Sequence, residues 1–531
     1  MAEYFTVGDA LPQKADGLDV LGAVCNNMVV PLAAPYFADQ EVHPLTRADE
    51  YGFEIYRSSL VFLLAKCAEE LAHGSVFRVR QSISQALYFT WEARGRMDVE
   101  RLSGALARLV AADVPITAEP VSYKLAVDVL GKLGRVDELH LLKHRNPPAV
   151  LLSCCGDFRA LNQTPLAPRT GALDLWELLP ADGGFILNVP SPETPCALRP
   201  VPSTAPFFEI FRHQAAHRRV TGVETLGDLN QAILEKRFDV FVRTVEAMQT
   251  KDLATIADRI AARGGVRLVL LAGPSSAGKT TTAHRLCTQL RVVGLRPLLL
   301  STDDYFVGDA RNPRDEEGKL DYETVKAVDA MRLAADLRDL FDGKPVRLRR
   351  FDFLKHDGYD AAETTRLPPD GVVVLEGIHA LNPVLTASLP DGVKFRVYLN
   401  ALTQLVVDSC NRISTTDTRL LRRLVRDFHF RGMSPLNTFR LWPNVVAGER
   451  KWIYPFQAGA DAVFNSALDY ELAVLKPFAS ELLNQVKPWD AEFAEARRLS
   501  GILHNVSPAP ADCVPGDSIL RETIGGSQLK Y

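Results

Sequence analysis

The residues Gly273-Pro-Ser-Ser-Ala-Gly278-Lys279-Thr280 carry the spacing GxxxxGK[ST], and they stand between a short apolar run, 266–272, and a helical pattern over 281–290. In that setting the spacing has a chemical meaning. Glycines let the backbone curl so that successive N–H groups point at one anion, and the helix start adds a favourable dipole. Lys279 then reaches the β- and γ-phosphates of a nucleotide, and the Thr280 hydroxyl suits Mg²⁺. Gly273, Pro274, Ser275, Ser276, Ala277, Gly278, Lys279, Thr280 and Thr281 are therefore the expected ATP-binding residues, with ATP and Mg²⁺ as cofactors.

Nucleotide binding does not fix a reaction, so the deciding side chains must come from other strand ends that meet the phosphates. The apolar run 297–301 closes in Thr302-Asp303-Asp304-Tyr305, and the run 372–375 closes in Glu376-Gly377. Asp303 can accept the proton of an attacking hydroxyl, and Glu376 can hold Mg²⁺ directly or through water. Plain helix capping is the other use of acidic residues at such places. Further on, Arg419, Arg422, Arg423 and Arg426 recur at i, i+3, i+4 and i+7, on one helical face. Guanidinium forks match the charge that builds on a transferring phosphoryl group. A solvated basic face is the alternative.

Short apolar runs at 266–272, 296–301, 371–375, 394–399 and 461–464 alternate with helical patterns, which implies a parallel sheet covered on both faces. Two helices over 226–263 lead into it. Upstream, 19–45 alternates short apolar runs with turn residues, as small sheet-rich modules do. Leu60, Leu63, Leu64 and Cys67 then recur at helical spacing, and 86–91 reads as a strand. Six prolines across 189–207 mark a linker. The expected organisation is a β-rich module at 1–50, an α+β domain at 51–200, a helical connector at 201–262, the P-loop domain at 263–490 and a tail at 491–531. Pro508, Pro510 and Pro515 give that tail the pattern of loose packing or of a strap lying on the surface.

The chain's 531 residues exceed what one core usually serves, so several domains are expected. A formal net charge of −4 and only scattered basic residues over 1–190 argue against a nucleic-acid partner. The eight cysteines form no CxxC pair and no metal-ligand spacing, which reads as reduced thiols. The N-terminus has no secretory pattern and no apolar run reaches membrane-span length, so the expected compartment is the cytoplasm, with no membrane partner.

Four segments together resemble the uridine kinase and phosphoribulokinase family: the P-loop, Ser301-Thr-Asp-Asp-Tyr-Phe306, Val373-Val-Leu-Glu-Gly-Ile-His379, and the stretch from Thr418 through Arg431-Gly432. The last is similar to the lid helix of uridine-cytidine kinases. The resemblance implies an α/β, doubly wound P-loop kinase fold and an ATP-dependent transfer to the 5'-hydroxyl of a small-molecule nucleoside such as uridine. It makes Asp303 the catalytic aspartate, Lys279, Arg423 and Arg426 its catalytic cations, Glu376 with Thr280 the metal side, and Arg431 a further lid cation on the substrate side. It also assigns Asp321 to the ribose hydroxyls and Phe351 and His356 to the frame around the base. Two positions depart from the family pattern, Phe351 for a tyrosine and Met433 for an arginine. The alternatives are a sugar phosphate or another small alcohol as acceptor, or an RNA-associated regulator that binds ATP.

The first half resembles the accessory domains of threonyl-tRNA synthetase, a ubiquitin-like TGS-type module running into an editing-type domain. The four polar positions of the editing pattern are Ser58, Phe62, Asn162 and Leu166 here. Those side chains cannot rebuild a His/Cys site. The implied role is docking, regulation or homo-oligomer formation, without hydrolysis.

Overall fold

Five short apolar segments pair in parallel in one sheet, and their burial explains why they carry so few polar residues. The computed structural model describes residues 5–530 except 38, 73–75, 93–97, 203–204, 315–317, 319 and 353–354. Parts of the sequence readings that fall on residues 1–4, Lys319 and 353–354 lie outside the described residues. The chain divides into two compact units. The first comprises Met1–Phe238, Gln404–Ser414 and Ser480–Ala509; the second comprises Asp239–Thr403, Thr415–Ala479 and Pro510–Tyr531.

In the second unit the strands are β1 (Leu268–Ala272), β2 (Arg296–Ser301), β3 (Gly371–Glu376), β4 (Lys394–Asn400) and β5 (Ala462–Asn465), in the order β2-β3-β1-β4-β5. Every position of β1 and β3 is buried, as expected of central strands covered on both faces. The edge strand β2 is only partly so. Register aligns the C-terminal ends: Glu376 lies opposite Leu271 on one side and Ser301 on the other. From β1 the chain passes to β2 on one side and later to β4 on the other, so the strand order reverses around β1, where such sheets bind ligands.

Four helices matter to the site. Helix α1 (Lys279–Val292) follows β1 directly, with Gly278 as its N-cap at φ 84°, a left-handed conformation that glycine adopts without strain. Helix α2 (Thr415–Arg431) buries Leu420, Leu421, Leu424 and Val425. Helix α3 (Pro435–Trp452) starts where Ser434 caps the Asn437 N–H and Pro435 takes the first turn. Helix α4 (Arg521–Ile524) is one short turn near the C-terminus.

Near its start the first unit carries an antiparallel three-stranded sheet of Met28–Val30, Gly22–Cys25 and Val42–Leu45. Helix Glu50–Leu71 then packs its Ile55, Leu60, Leu63 and Leu64 into a core shared with a four-stranded antiparallel sheet. Within that sheet the rings of Phe77, Phe89 and Phe185 stack at centroid distances of 4.8 and 5.1 Å. The proline-rich residues 189–202 run inside this unit. Among the described residues no helix is long and apolar enough to cross a membrane.

The C-terminal residues are well packed: Leu499 and Leu503 are buried in the first unit, and Ser518 and Leu520 in the second. Of the two patterns the prolines allowed, loose packing is the one the structure excludes. The reason is side-chain content, because the apolar residues on either side of the prolines have cores to enter.

Candidate active site

Residues 273–281 turn from β1 into α1. The Lys279 ammonium donates to the Pro274 carbonyl at 3.1 Å, and the Thr280 hydroxyl stands 3.4 Å from a Glu376 carboxylate oxygen. A hydroxyl and a carboxylate are the hard oxygen donors that Mg²⁺ takes, so this pair fits the ion the sequence implied. Gly377, just beyond Glu376, cannot carry a side chain: a Cβ there would fall on the Thr302 hydroxyl. That close approach lets the ends of β2 and β3 converge.

At the end of β2 the Ser301 hydroxyl caps a short 3-10 turn, accepting from the Asp303 N–H at 3.3 Å. This turn delivers Asp303 towards the P-loop. Burial raises the Asp303 carboxyl, opposed by the Lys279 charge. Glu376 is raised first by burial and then by Asp303, again with Lys279 opposing. The two carboxylates and the lysine therefore share one electrostatic environment. Asp304 is turned elsewhere and accepts from the Arg350 guanidinium at 2.8 Å.

The arginines of α2 separate into two tiers. Arg419 and Arg422 are each 1% exposed. Arg419 holds Glu449 of α3 through both ends of its fork, at 2.6 and 2.8 Å, and donates to the Ser275 carbonyl at 3.0 Å. Arg422 grips Glu471 at 2.5 and 2.9 Å and reaches the Ser466 carbonyl. Arg423, Arg426 and Arg431 instead share a single fully buried carboxylate, Asp427, at 3.2, 2.7 and 3.6 Å. Arg423 also donates to the Ser275 hydroxyl at 2.9 Å. Burial lowers both Arg423 and Arg431, and Asp303 is among the charges that act on Arg431. This tier brings surplus positive charge to the P-loop.

The residues assigned to the nucleoside are less uniform. Asp321 accepts from the Glu323 N–H at 2.9 Å. Phe351, 7% exposed, packs edge-on against Phe306 with centroids 5.6 Å apart, so its ring belongs largely to the core. His356 is exposed, at φ 52°, with its Nδ1 3.6 Å from an Asp309 carboxylate oxygen and 3.5 Å from the Tyr322 hydroxyl. Tyr322 in turn lies edge-on to Phe306. Phe351 and His356 thus sit on one aromatic cluster, through Phe306 and Tyr322.

Several charged groups escaped the sequence reading. Glu449 accepts from the Ser275 N–H at 3.0 Å and from Tyr454 at 3.1 Å besides Arg419. Glu323 is pushed up to about 7, mainly by burial, with Arg423 and Lys279 opposing. Burial and the Lys279 charge hold His379 down to about 4. Asp427 is the hub of the outer arginines. Its place four residues after Arg423 was the one available signal; Glu449 and Glu323 lie on other elements and gave none.

In the first unit, Phe62 is buried against the Phe158 ring at 5.3 Å, and Asn162 donates to the Ser153 hydroxyl at 2.9 Å. Leu166 packs on the same core, and Ser58 is half-buried. Phe62 and Leu166 serve packing, and Asn162 a neutral hydrogen bond.

Residues 268–473 match the Phosphoribulokinase / Uridine kinase family. A uridine kinase of Lactobacillus helveticus is 30% identical over 221 residues, which make up 41% of this chain and 96% of that protein. The chain belongs to this family. A uridine kinase of Staphylococcus epidermidis is 27% identical over 208 residues, covering 39% of this chain and 91% of its own. A solved structure described as a possible uridine kinase from Bacillus stearothermophilus matches with a TM-score of 0.28 at 20% identity, over 40% of this chain and 98% of that one; so low a score adds nothing to the assignment. Membership rests on the C-terminal half, as a P-loop kinase domain with a parallel sheet.

Proposed function

We propose that the second unit transfers a phosphoryl group from ATP to the 5'-hydroxyl of a nucleoside, with uridine as the first acceptor to test. The observation that carries this reading is the convergence of Asp303, Glu376 and Lys279 at the joined ends of β1, β2 and β3. Asp303 takes the proton of the acceptor hydroxyl, and its raised affinity for protons, caused by burial, suits a general base. Residues 273–281 hold the phosphates of ATP, and Lys279, Arg423 and Arg426 offset the charge that grows on the transferring group. Thr280 and Glu376 would hold Mg²⁺, which supplies further neutralisation of phosphate charge when bound. Asp321 is assigned to the ribose, with Phe351, His356 and Arg431 on the acceptor side.

Phe351 in place of tyrosine, with its ring taken up by the core, favours keeping one second reading, the same transfer to a sugar phosphate or another small alcohol. For the N-terminal half we propose the TGS-like and editing-like modules, at 1–50 and 51–200, as a non-hydrolytic docking or oligomerising part of a cytoplasmic enzyme. Residues 201–262 then serve as connector, 263–490 as kinase domain and 491–531 as tail.

One experiment tests the reading directly. The purified chain is incubated with ATP, Mg²⁺ and each of a panel of nucleosides and sugar phosphates, with ADP release measured. Stimulation by a nucleoside supports the first reading and stimulation by a sugar phosphate the second; if no small alcohol stimulates release, the phosphotransferase reading fails.

A further inference from the structure

The side chains that close over the donor side of the P-loop come from the far C-terminus. The Thr281 hydroxyl, in the first turn of α1, donates to the Glu522 carboxylate at 3.0 Å. Ile519 lies against Gly278 so closely that a Cβ on that glycine would fall on it. Ile519, Glu522 and Thr523 face Ser276, Gly278 and Arg426 across a small cavity. The segment is packed into the second unit: Ser518 and Leu520 are fully buried, Ser518 meets the Tyr470 hydroxyl at 3.2 Å, and Arg521 donates to the Ala511 and Val514 carbonyls.

We propose that residues 510–530 form a strap that occupies the nucleotide's place on the P-loop, with the Glu522 carboxylate standing where a phosphate oxygen of the donor would lie. The inference rests on residues 273–281 being the phosphate cradle. A helix start with an adjacent arginine stabilises one anion, and here that anion is carried by the chain itself. A phosphate brought to Thr281 would meet Glu522 at hydrogen-bonding distance, and two anions so close in a partly enclosed site repel strongly. Nucleotide binding therefore requires residues 519–523 to leave the P-loop. The free-energy cost of that departure lowers the apparent affinity by the fraction of molecules with the strap displaced. Departure of the strap also opens the cavity that Arg426 lines.

The test uses the full chain, as wild type and as Glu522→Gln, which keeps the size of the side chain and removes its charge. Binding of the non-hydrolysable β,γ-imido analogue of ATP with Mg²⁺ is measured by calorimetry, and amide hydrogen exchange is followed over 518–524. We expect Glu522→Gln to bind the analogue about tenfold more tightly. In the wild type, saturation with the analogue should speed exchange at 518–524. Equal affinity in the two proteins, or exchange that stays unchanged at saturation, overturns the strap. Weaker binding by Glu522→Gln overturns it too, and makes Glu522 a ligand of the nucleotide instead. Absence of binding by both proteins overturns the phosphate cradle itself, an outcome distinct from failure of the strap alone.

Discussion

Two tiers of arginine lie on one helix, within a few residues of each other, and their surroundings divide them. Arg419 and Arg422 each have a dedicated buried carboxylate, Glu449 and Glu471. Arg423, Arg426 and Arg431 share Asp427 among three. The first arrangement is neutral and closed, and its hydrogen bonds go to the P-loop backbone and to neighbouring elements. The second leaves positive charge over, beside the P-loop turn 273–281. The difference teaches that an arginine's role follows from the ratio of cations to carboxylates around it more than from its place on the helical face. The same division recurs at the end of β2, where Asp304 is committed to Arg350 while Asp303 faces Lys279.

The sharpest way to break this comparison is at the aspartates. Asp303→Asn preserves size and hydrogen bonding but removes the proton acceptor, so turnover should fall by about 10²–10⁴-fold with little change in substrate affinities. Asp304→Asn should cost far less. Steady-state kinetics on both variants decides it, and equal mild effects would remove the general base from the mechanism.

Next in size is the inner tier. Glu449→Ala leaves the buried Arg419 without its partner and takes an acceptor from the Ser275 N–H. Unfolding in urea should show a loss of about 3–5 kcal/mol. A loss below about 1 kcal/mol would mean that the inner tier is not a structural clamp.

The outer tier should behave in the opposite way. Arg426→Met should lower turnover by about 10²-fold while stability moves by no more than about 1 kcal/mol. Arg422→Met should destabilise first and lose activity with the fold. If the two substitutions gave the same balance of stability and turnover, the division into tiers would have no functional content.

The smallest effect is a pH dependence beside Arg423. Glu323 is held near 7 in the fold, above its ordinary value of 4.5, because burial disfavours its charged form. A raised folded value means a contribution to stability that is complete below about 4.5 and is lost as pH rises through about 7. Glu323→Gln should therefore match the wild type at pH 4 and exceed it in denaturant resistance at pH 8. A constant gap across that range would show that the carboxyl is not titrating in the fold.

Much of the kinase unit was legible because its information is local. The strands 296–301 and 371–376, the helix after the P-loop and the carboxylates at strand ends all follow from period, spacing and chain order. Legibility stopped where a residue's partner comes from another element. Periodicity placed Arg419 and Arg426 on one face, and it could not tell that α3 brings Glu449 to the first. Phe351 was readable as an aromatic beside a candidate base site, but its burial against Phe306 depends on a turn 45 residues earlier in the chain.

The sequence by itself determined the parallel sheet, the position of the P-loop, and which residue types could move a proton or hold a cation. Those depend on alternation, glycine content and the short distance between a strand end and the next helix. Only the tertiary structure decided how charge is shared: which arginines are spent on Glu449 and Glu471, which three gather on Asp427, and that Glu522 of the C-terminal segment meets Thr281. The physical reason is that Coulomb and hydrogen-bond energies depend on separation in space. Glu522 stands 241 residues from Thr281 along the chain and 3.0 Å from its hydroxyl in the fold.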